Sequence, residues 1–168
     1  SGAVVGLRFS PGRIEPDDVA FRDSRKPLAG EFSWKGRPLF VVASHFSSKG
    51  GDQPLYGRFQ PPALASEAKR REQATVVAGF VRQLLAHDPA ANIVVLGDLN
   101  DFQFSRPVQI LEEAGVATLV GKLPPQERYS YVYDGNGQVL DHLMVSANLQ
   151  GPAFVGFDVV HVNAEFAD

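Results

Sequence analysis

The chain has 168 residues, of which 44% are hydrophobic and 21% charged, and its formal net charge is −3 at pH 7. These values are typical of one globular domain. The negative charge excludes attraction of nucleic acid by the whole-chain field, so an anionic substrate needs local cations or a bound metal ion. The absence of cysteine excludes disulfides and thiolate metal sites. No apolar run approaches the ~20 residues that span a bilayer, and no signal-peptide pattern opens the chain, so no membrane partner is predicted.

The first predicted element is a hairpin at residues 31–45, EFSWKGRPLFVVASH. Two strand-like runs flank Lys35-Gly36, where the glycine permits a tight turn. Residues 39–43 are apolar in succession, which predicts a strand covered on both faces. The longest loop follows at residues 47–62 and is rich in glycine, proline and polar side chains.

Two helices are predicted around a buried strand at residues 92–96. The first runs from Ser66 to His87, because apolar residues recur there at three- and four-residue spacing and Ser66 is suited to cap the helix. The basic run at residues 69–71 is interpreted as a solvated helix face, since acidic residues interleave with it. The second helix is expected at residues 106–114, between a capping serine and a terminating glycine.

The last part of the chain predicts a second hairpin and a final strand. The hairpin covers residues 129–146 and turns at the sequence DGNG, and the final strand covers residues 157–163. His161 alternates with apolar neighbours in that strand and is interpreted as structural. Strands separated by helices, together with hairpins, favour a mixed α/β sandwich over a purely parallel sheet.

Polar side chains recur where predicted strands end. His45 and Ser47 follow the strand at residues 39–43, Asp98 and Asn100 follow the next strand, and Asp141 precedes Leu143 inside the second hairpin. Because sites in α/β folds form where strands end, we expect these groups to lie together at one rim of the sheet.

This set of side chains is suited to phosphodiester hydrolysis by water. Oxygen ligands favour Mg²⁺, with Mn²⁺ or Ca²⁺ as alternatives, and Asp98 and Asn100 are the candidate ligands. Asp98 either binds the metal or holds the attacking water. Asn100 is neutral and can donate to a phosphate oxygen without repelling it. His45 can donate to the phosphate as negative charge builds on it.

Simpler interpretations compete with each of these. GDLND alone is better explained as a polar turn, and Asp101 is assigned to that turn rather than to a second ion. Lys49 and the nearby glycines either cradle phosphate through backbone N–H groups or belong to a plain flexible loop. Arg58 either clamps a nucleic-acid backbone, with Tyr56 or Phe59 stacking on a base, or these aromatic side chains are buried under the loop.

Four segments in order resemble the signatures of the endonuclease/exonuclease/phosphatase superfamily: VVASHFSSKGG, VVLGDLNDF, DHLMVS and HVNAEF. The long loop and ERYSYVYDGNGQVLDH are most similar to its bacterial extracellular nucleases, and the likeness runs from about Arg25 to the end. The resemblance implies an α/β fold with a mixed β-sheet sandwich of the deoxyribonuclease I-like four-layer type. It also implies that residues 1–168 form a single partial domain with a poorly matched start at residues 1–24. The N-terminal half, with its Asn and its Glu metal ligand, and the extreme C-terminus with its histidine are expected to be missing.

The resemblance also implies roles for individual residues. His45 matches the histidine at the scissile phosphate, Asp98 the carboxylate that orients water or binds metal, and Asn100 the amide that grips phosphate. Asp141 matches the carboxylate that supports a second, terminal histidine. Together with Ser47, Lys49 and Arg58 as substrate-binding residues, these are the candidate site.

The implied function is metal-dependent phosphodiester hydrolysis by a bacterial nuclease that is extracellular or at the cell surface and acts on DNA or RNA. The 168-residue piece itself is expected to bind Mg²⁺ weakly and to be inactive. A phosphomonoesterase, a sphingomyelinase-like lipid phosphodiesterase and a non-catalytic interaction module remain as alternatives. A truncated sandwich is also expected to expose an apolar face or a sheet edge through which it can dimerise.

Overall fold

The computed structural model describes residues 12–152 and 154–162. Within them, the strands are β1 Gly12–Arg13, β2 Leu28–Trp34, β3 Arg37–Ala43, β4 Asn92–Asp98, β5 Val116–Thr118, β6 Tyr131–Tyr133, β7 Asn136–Gln138 and β8 Asp141–Ser146. The α-helices are α1 Glu67–His87 and α2 Arg106–Glu112, and 3₁₀ turns lie at Val19–Phe21, Val120–Lys122, Pro125–Glu127 and Ala147–Gln150. Neither helix has the length and apolar character needed to cross a membrane.

The main sheet of the described residues has six strands in the order β1-β2-β3-β4-β8-β5. Strands β3 and β4 run parallel, and every other neighbouring pair is antiparallel. The long helix α1 connects the parallel pair, as a crossover between parallel strands requires. A mixed sheet with helices confirms the predicted α/β fold class.

The first hairpin forms as predicted. Strands β2 and β3 pair along their whole length, and the turn places Lys35 at φ 50° and Gly36 at φ 76°. The prediction that residues 39–43 are covered on both faces is wrong. Phe40 and Val42 are buried, but Ala43 is exposed, because within the described residues the helices cover a single face of the sheet.

The hydrophobic core lies between that face and the two helices. Val77, Val81 and Leu84 of α1 are fully buried against Val42 and Val95 of the sheet. Burying a side chain of this size contributes roughly 1.5–3 kcal/mol, so this stripe anchors the helix. The predicted first helix, from Ser66 to His87, is therefore confirmed to within one residue.

The opposite face of the sheet is open in the described residues, and we call it the open face. Successive side chains of a strand point to opposite faces. Most of the side chains on this face are apolar, and those that are half-buried or exposed include Leu28, Phe32, Trp34, Leu39, Val41, Val94, Leu96 and Leu143. The last paired positions on the same face are Asp98 and Asp141.

Two predictions for the final part of the chain need correction. The predicted hairpin at residues 129–146 divides in two: β6 pairs only with β7 around the turn Asp134-Gly135, whereas β8 pairs with β4 and β5 in the main sheet. Residues 157–162 form no strand and pair with none of the strands of the described residues. Residue 163 and most of the HVNAEF segment lie outside the described residues.

The 157–162 segment nevertheless alternates as its sequence indicates. Phe157 and Val159 pack against a small separate cluster that includes Val139. His161 stacks on the Tyr129 ring at a centroid distance of 3.8 Å, and its Nε2 donates to the Tyr129 carbonyl at 2.9 Å. These contacts agree with a structural interpretation of His161.

Candidate functional site

The site begins where β3 and β4 remain paired beyond the last residue of β3. The Ser44 amide donates to the Leu96 carbonyl and the Phe46 amide to the Asp98 carbonyl, both at 2.9 Å. This continued register places His45 beside Asp98 on the open face. His45 Nε2 lies 3.6 Å from Asp98 Oδ2, an electrostatic approach rather than a hydrogen bond.

The glycine of the GDLND motif is required by this pairing. Gly97 has φ +126°, and a Cβ on it would lie 2.0 Å from the Ser44 carbonyl oxygen. No side chain fits such a contact, and positive φ is costly for residues other than glycine. Gly97 therefore allows the two strands to approach immediately before Asp98.

Asp98 and Asn100 are fixed to each other by the turn that follows β4. Asp98 Oδ1 accepts from the Asn100 amide at 2.8 Å, and Asn100 adopts φ 50°, a conformation that asparagine tolerates. Asn100 Nδ2 donates to the Phe46 carbonyl at 3.1 Å, which leaves one side-chain N–H and the Oδ1 atom without another protein partner in the described part of the chain. GDLND is thus both a polar turn and the part of the site that orients Asn100.

Asp141 completes the cluster from the neighbouring strand. It is the register partner of Asp98 in the antiparallel β4–β8 pair, so both carboxylates project from the open face. Burial, and then the charge of Asp141, raise the pKa of Asp98 above its ordinary value, although the Asn100 amide and His45 oppose the shift. Asp98 and Asp141 thus place two carboxylates side by side at this end of the open face.

Arg25 is a residue of the site that sequence reasoning missed. Its Nη1 lies 3.2 Å from His45 Nε2. A guanidinium can only donate, so His45 Nε2 accepts in this contact. Arg25 therefore adds a permanent positive charge next to His45. It lies in an ordinary polar loop before β2, and no local sequence pattern marks it.

The donor set fits a hard divalent cation that keeps most of its water. Asp98, Asp141 and Asn100 offer oxygen ligands, which Mg²⁺ and Ca²⁺ prefer. Within residues 12–152 and 154–162, no three His, Asp or Glu side chains gather closely enough to enclose an ion. Asp98, Asp141 and Asn100 are the residues of the described chain that would contact such an ion at this end of the sheet.

A second cluster of charges lies buried behind the turn, and we call it the ion-pair cluster. The interpretation of residues 69–71 as a solvated face is wrong for Arg70, whose side chain is 0% exposed. Arg70 Nη2 contacts Asp52 Oδ2 at 2.9 Å, and its Nε contacts Asp101 Oδ2 at 2.7 Å. Arg70 also donates to Ser66 Oγ, so Ser66 does not cap the helix with its side chain as predicted.

Lys49 and Asp101 also belong to the ion-pair cluster. Lys49 Nζ lies 3.1 Å from Asp101 Oδ1, 3.7 Å from Asp52 Oδ2 and 4.4 Å from the centroid of the Phe102 ring. Asp101 Oδ1 also accepts from the Phe102 amide, so its assignment to the turn agrees with the structure. The cluster ties the long loop, α1 and the turn of the candidate site together, because each contributes a charged member. Lys49 is thus engaged by carboxylates, and its role in substrate binding stays a prediction.

Ser47 and Arg58 lie apart from the cluster that His45, Asp98, Asn100 and Asp141 form. The Ser47 amide donates to Gln73 Oε1 at 2.8 Å, and Ser47 Oγ accepts from Gln73 Nε2 at 3.2 Å, so this serine anchors the loop to α1. Arg58 is exposed and its guanidinium lies 5.8 Å from the Phe59 ring centroid. Tyr56 and Phe59 are 92% and 58% exposed, so the alternative that they are buried under the loop is wrong.

Sequence reasoning also missed Arg70 and Gln73, although a signal was present. Gln73 is fully buried and donates to the Ala20 carbonyl and to Ser24 Oγ. Arg70, Gln73 and Val77 recur at three- and four-residue spacing, which is the spacing of the buried stripe of α1. Polar residues in such a stripe indicate buried hydrogen-bonding groups rather than a solvated face.

Comparisons with known proteins identify a family and a shared fold. Residues 14–168 match a family described as the Endonuclease/Exonuclease/phosphatase family. No curated protein matches the chain.

Three solved structures share part of this fold. The human Nocturnin catalytic domain with bound sulfate anion has a TM-score of 0.54 and 14% identity, over 74% of this chain and 42% of that chain. TDP2 from Caenorhabditis elegans has a TM-score of 0.53 and 19% identity, over 75% and 38%. Sphingomyelinase C from Streptomyces griseocarneus has a TM-score of 0.50 and 17% identity, over 74% and 43%. At these identities the likeness establishes the fold alone, and the chain spans less than half the length of each structure.

Proposed function

The chain belongs to the endonuclease/exonuclease/phosphatase family, and we propose that the whole protein is a metal-dependent nuclease that hydrolyses phosphodiesters of DNA or RNA. The observation that carries this proposal is the convergence of His45, Asp98, Asn100 and Asp141 at one end of the open face. A hydrolase of a phosphodiester must hold water, bind the phosphate and stabilise its developing charge. Each task has a suitable side chain in this group.

The geometry supports a division of roles among the chain's own residues. A bound Mg²⁺, with Mn²⁺ or Ca²⁺ as alternatives, would be held by Asp98 and Asn100 with help from Asp141, and would supply positive charge at the phosphate. Asp98 accepts a proton or a hydrogen bond from the attacking water, a task favoured by its raised pKa. The second N–H of Asn100 donates to a phosphate oxygen.

His45 and Arg25 supply the opposite side of the phosphate. The guanidinium of Arg25 lies against His45 Nε2 and contributes a charge that does not depend on pH near neutrality. An anion that accepts from Arg25 releases His45 Nε2 from this contact, so that a protonated His45 can donate to the phosphate. We place the substrate outside the bacterial cell, on the likeness of the long loop to extracellular nucleases.

The test is hydrolysis by the purified whole protein. We expect cleavage of DNA or RNA in Mg²⁺ and its loss in EDTA, with much weaker turnover of sphingomyelin and of phosphomonoesters. Asp98→Asn and Asp141→Asn should each reduce the rate strongly. Glu112→Gln is the matched control, because Glu112 is an exposed residue of α2. Full activity of Asp98→Asn, or a preference for the lipid substrate, would overturn the proposal.

A further inference from the structure

We propose that the groove next to the candidate site binds an unpaired nucleic-acid strand by stacking its bases on exposed aromatic side chains. The inference rests on the proposed function and specifies its substrate: a single strand, or a duplex opened next to the cleaved phosphate. The inference is based on a set of exposed aromatic rings that line one groove. Neither the ion-pair cluster nor the proposed hydrolytic residues account for the exposure of these rings.

The groove lies between the long loop and the hairpin formed by β6 and β7. Its volume is about 860 Å³, and its lining includes Tyr56 of the loop, Asn100 and Phe104 of the turn region, and Tyr131 and Tyr133 of β6. Because Asn100 belongs to both, the groove is continuous with the candidate site. A strand whose phosphate reaches Asn100 therefore has its adjacent bases within the groove.

The aromatic side chains in this groove are largely exposed. Tyr56 is 92%, Phe104 60%, Tyr133 56% and Tyr131 45% exposed. Single exposed apolar residues are ordinary, but a cluster in one concave surface indicates a binding site. Each ring offers a face on which a base can stack, an interaction that tolerates any base.

The rings are also arranged in nearly parallel pairs. Tyr131 and Tyr133 have ring centroids 6.4 Å apart and an interplanar angle of 18°. Phe102 and Phe104 have centroids 5.4 Å apart, again at 18°, and Phe102 is held in place beneath Lys49. Pre-oriented rings lose little side-chain entropy when a ligand stacks on them.

The charges in the groove favour base contacts over backbone contacts. Lys49 is matched by Asp101 and Asp52, and the Arg128 guanidinium donates to the Leu123 and Gly121 carbonyls. The cations of the groove are thus committed to partners within the protein. The base pairs of a duplex stack on one another and cover their faces, so stacking in this groove selects an unpaired strand.

A lipid surface is the alternative occupant of an exposed aromatic cluster. The hairpin tip argues against it, since the turn consists of Asp134, Gly135 and Asn136, which are all exposed. A tip that enters a bilayer needs apolar residues, because burying a charge there is costly. The hydroxyls of Tyr131 and Tyr133, which both lie on β6 before the tip, also suit an aqueous groove.

The test is binding of a fluorescent oligothymidylate to the whole protein in EDTA, measured by anisotropy, so that no hydrolysis is needed. We expect this oligonucleotide to bind more tightly than its abasic counterpart, which has the same phosphates and no bases, and than a duplex. Tyr133→Ala and Phe104→Ala should each weaken binding by roughly 5- to 150-fold. Tyr133→Phe should restore most of the affinity, because it keeps the ring.

Trp34→Ala is the matched control, since Trp34 is 66% exposed at the far end of β2 and lies outside the groove. Equal binding of the abasic strand, or unchanged affinity in Tyr133→Ala and Phe104→Ala, would overturn the inference. If the protein bound phosphatidylcholine vesicles more strongly than the oligonucleotide, and Tyr133→Ala abolished vesicle binding, a lipid surface would be the occupant of the groove instead. Selective oligonucleotide binding without hydrolysis in Mg²⁺ would leave the groove in place and refute the nuclease proposal alone.

Discussion

Asp98 and Asp101 belong to the same turn and have opposite surroundings. Asp101 is buried, and the guanidinium of Arg70 and the ammonium of Lys49 contact its two oxygens. The Asp98 side chain is 31% exposed and faces Asp141 across the strand pair, and among the described residues His45 is the only basic side chain within 4 Å of its carboxylate. Burial and Asp141 raise its pKa above the ordinary value.

This difference separates a structural carboxylate from a functional one. A buried charge with its full set of partners holds elements together, and the loss of any one partner is expensive. A carboxylate that is left short of positive charge destabilises the fold slightly and remains available to a cation, a water molecule or a proton. The turn thus combines a structural carboxylate at Asp101, which anchors it, with a reactive carboxylate at Asp98.

The largest expected effect is on catalysis at Asp98. Asp98→Asn should lower kcat/KM of the whole protein on DNA by roughly 10²–10⁴-fold, the range for losing a group that accepts a proton in the reaction. The shape of asparagine preserves the hydrogen bond from the Asn100 amide, so the turn should persist. Initial-rate measurements in Mg²⁺ test this prediction. A decrease of less than tenfold would equate Asp98 with an ordinary turn residue.

The next largest effect is on stability at Arg70. Arg70→Gln leaves Asp52 and Asp101 buried with only Lys49 as counter-charge, so the free energy of unfolding should fall by about 3–5 kcal/mol. Urea denaturation measures the change. Arg71→Gln, one position along on the exposed side of α1, should stay within about 0.5 kcal/mol of the wild type. Equal effects at the two positions would mean that the ion-pair cluster is not the structural centre of the turn.

Local features of the fold were predictable from sequence, and features that depend on distant partners were not. The turn at Lys35-Gly36 and the extent of α1 follow from residues close together in the chain. The ladder of β8 depends on β4, which lies more than forty residues earlier, so the sequence of the second hairpin could not reveal that it divides. Residues 157–162 alternate like a strand, but alternation alone supplies no partner.

The candidate site shows the same limit. Polar residues at the ends of the predicted strands indicated that His45, Asp98, Asn100 and Asp141 lie together, because the ends of neighbouring strands meet at one rim. Arg25 reaches this rim from a loop whose path is set by tertiary packing. The spacing of the buried stripe of α1 indicated that Arg70 is buried, but the charged residues next to Arg70 in the chain favoured a solvated helix face.

A smaller effect is the pH dependence of stability at Asp52. Burial alone would raise the pKa of Asp52, but hydrogen bonds from Ser66 and Arg70 and the charge of Arg70 hold it below the ordinary 3.8. The unfolded chain therefore binds this proton more readily, and the stabilisation is present above pH 3.8 and lost as the pH falls further. Asp52→Asn should cost about 1–3 kcal/mol at neutral pH. The difference from the wild type should shrink in urea denaturation below pH 3.8.

Asp17→Asn provides the control for this titration, since Asp17 is exposed. Its unfolding free energy should stay within about 0.5 kcal/mol of the wild type. If the Asp52→Asn difference were constant down to the lowest pH at which the protein folds, ionisation of Asp52 would not contribute to the cluster.

The smallest expected effect is the change in the free energy of unfolding caused by Asp98→Asn. The sign of this change tests the contrast between Asp98 and Asp101 most directly. Because the folded protein disfavours the charged form of Asp98, removing that charge at neutral pH in EDTA should leave the unfolding free energy within about 0.5 kcal/mol of the wild type or raise it. Asp101→Asn, three positions along the same turn, should instead be strongly destabilising because Arg70 then loses one of its two buried carboxylate partners. Thermal unfolding of the two variants, each compared with the wild type, measures the sign of both stability changes. A loss at Asp98 as large as that at Asp101 would show that both carboxylates are structural, and the reactive end of the turn would have to be sought at Asp141.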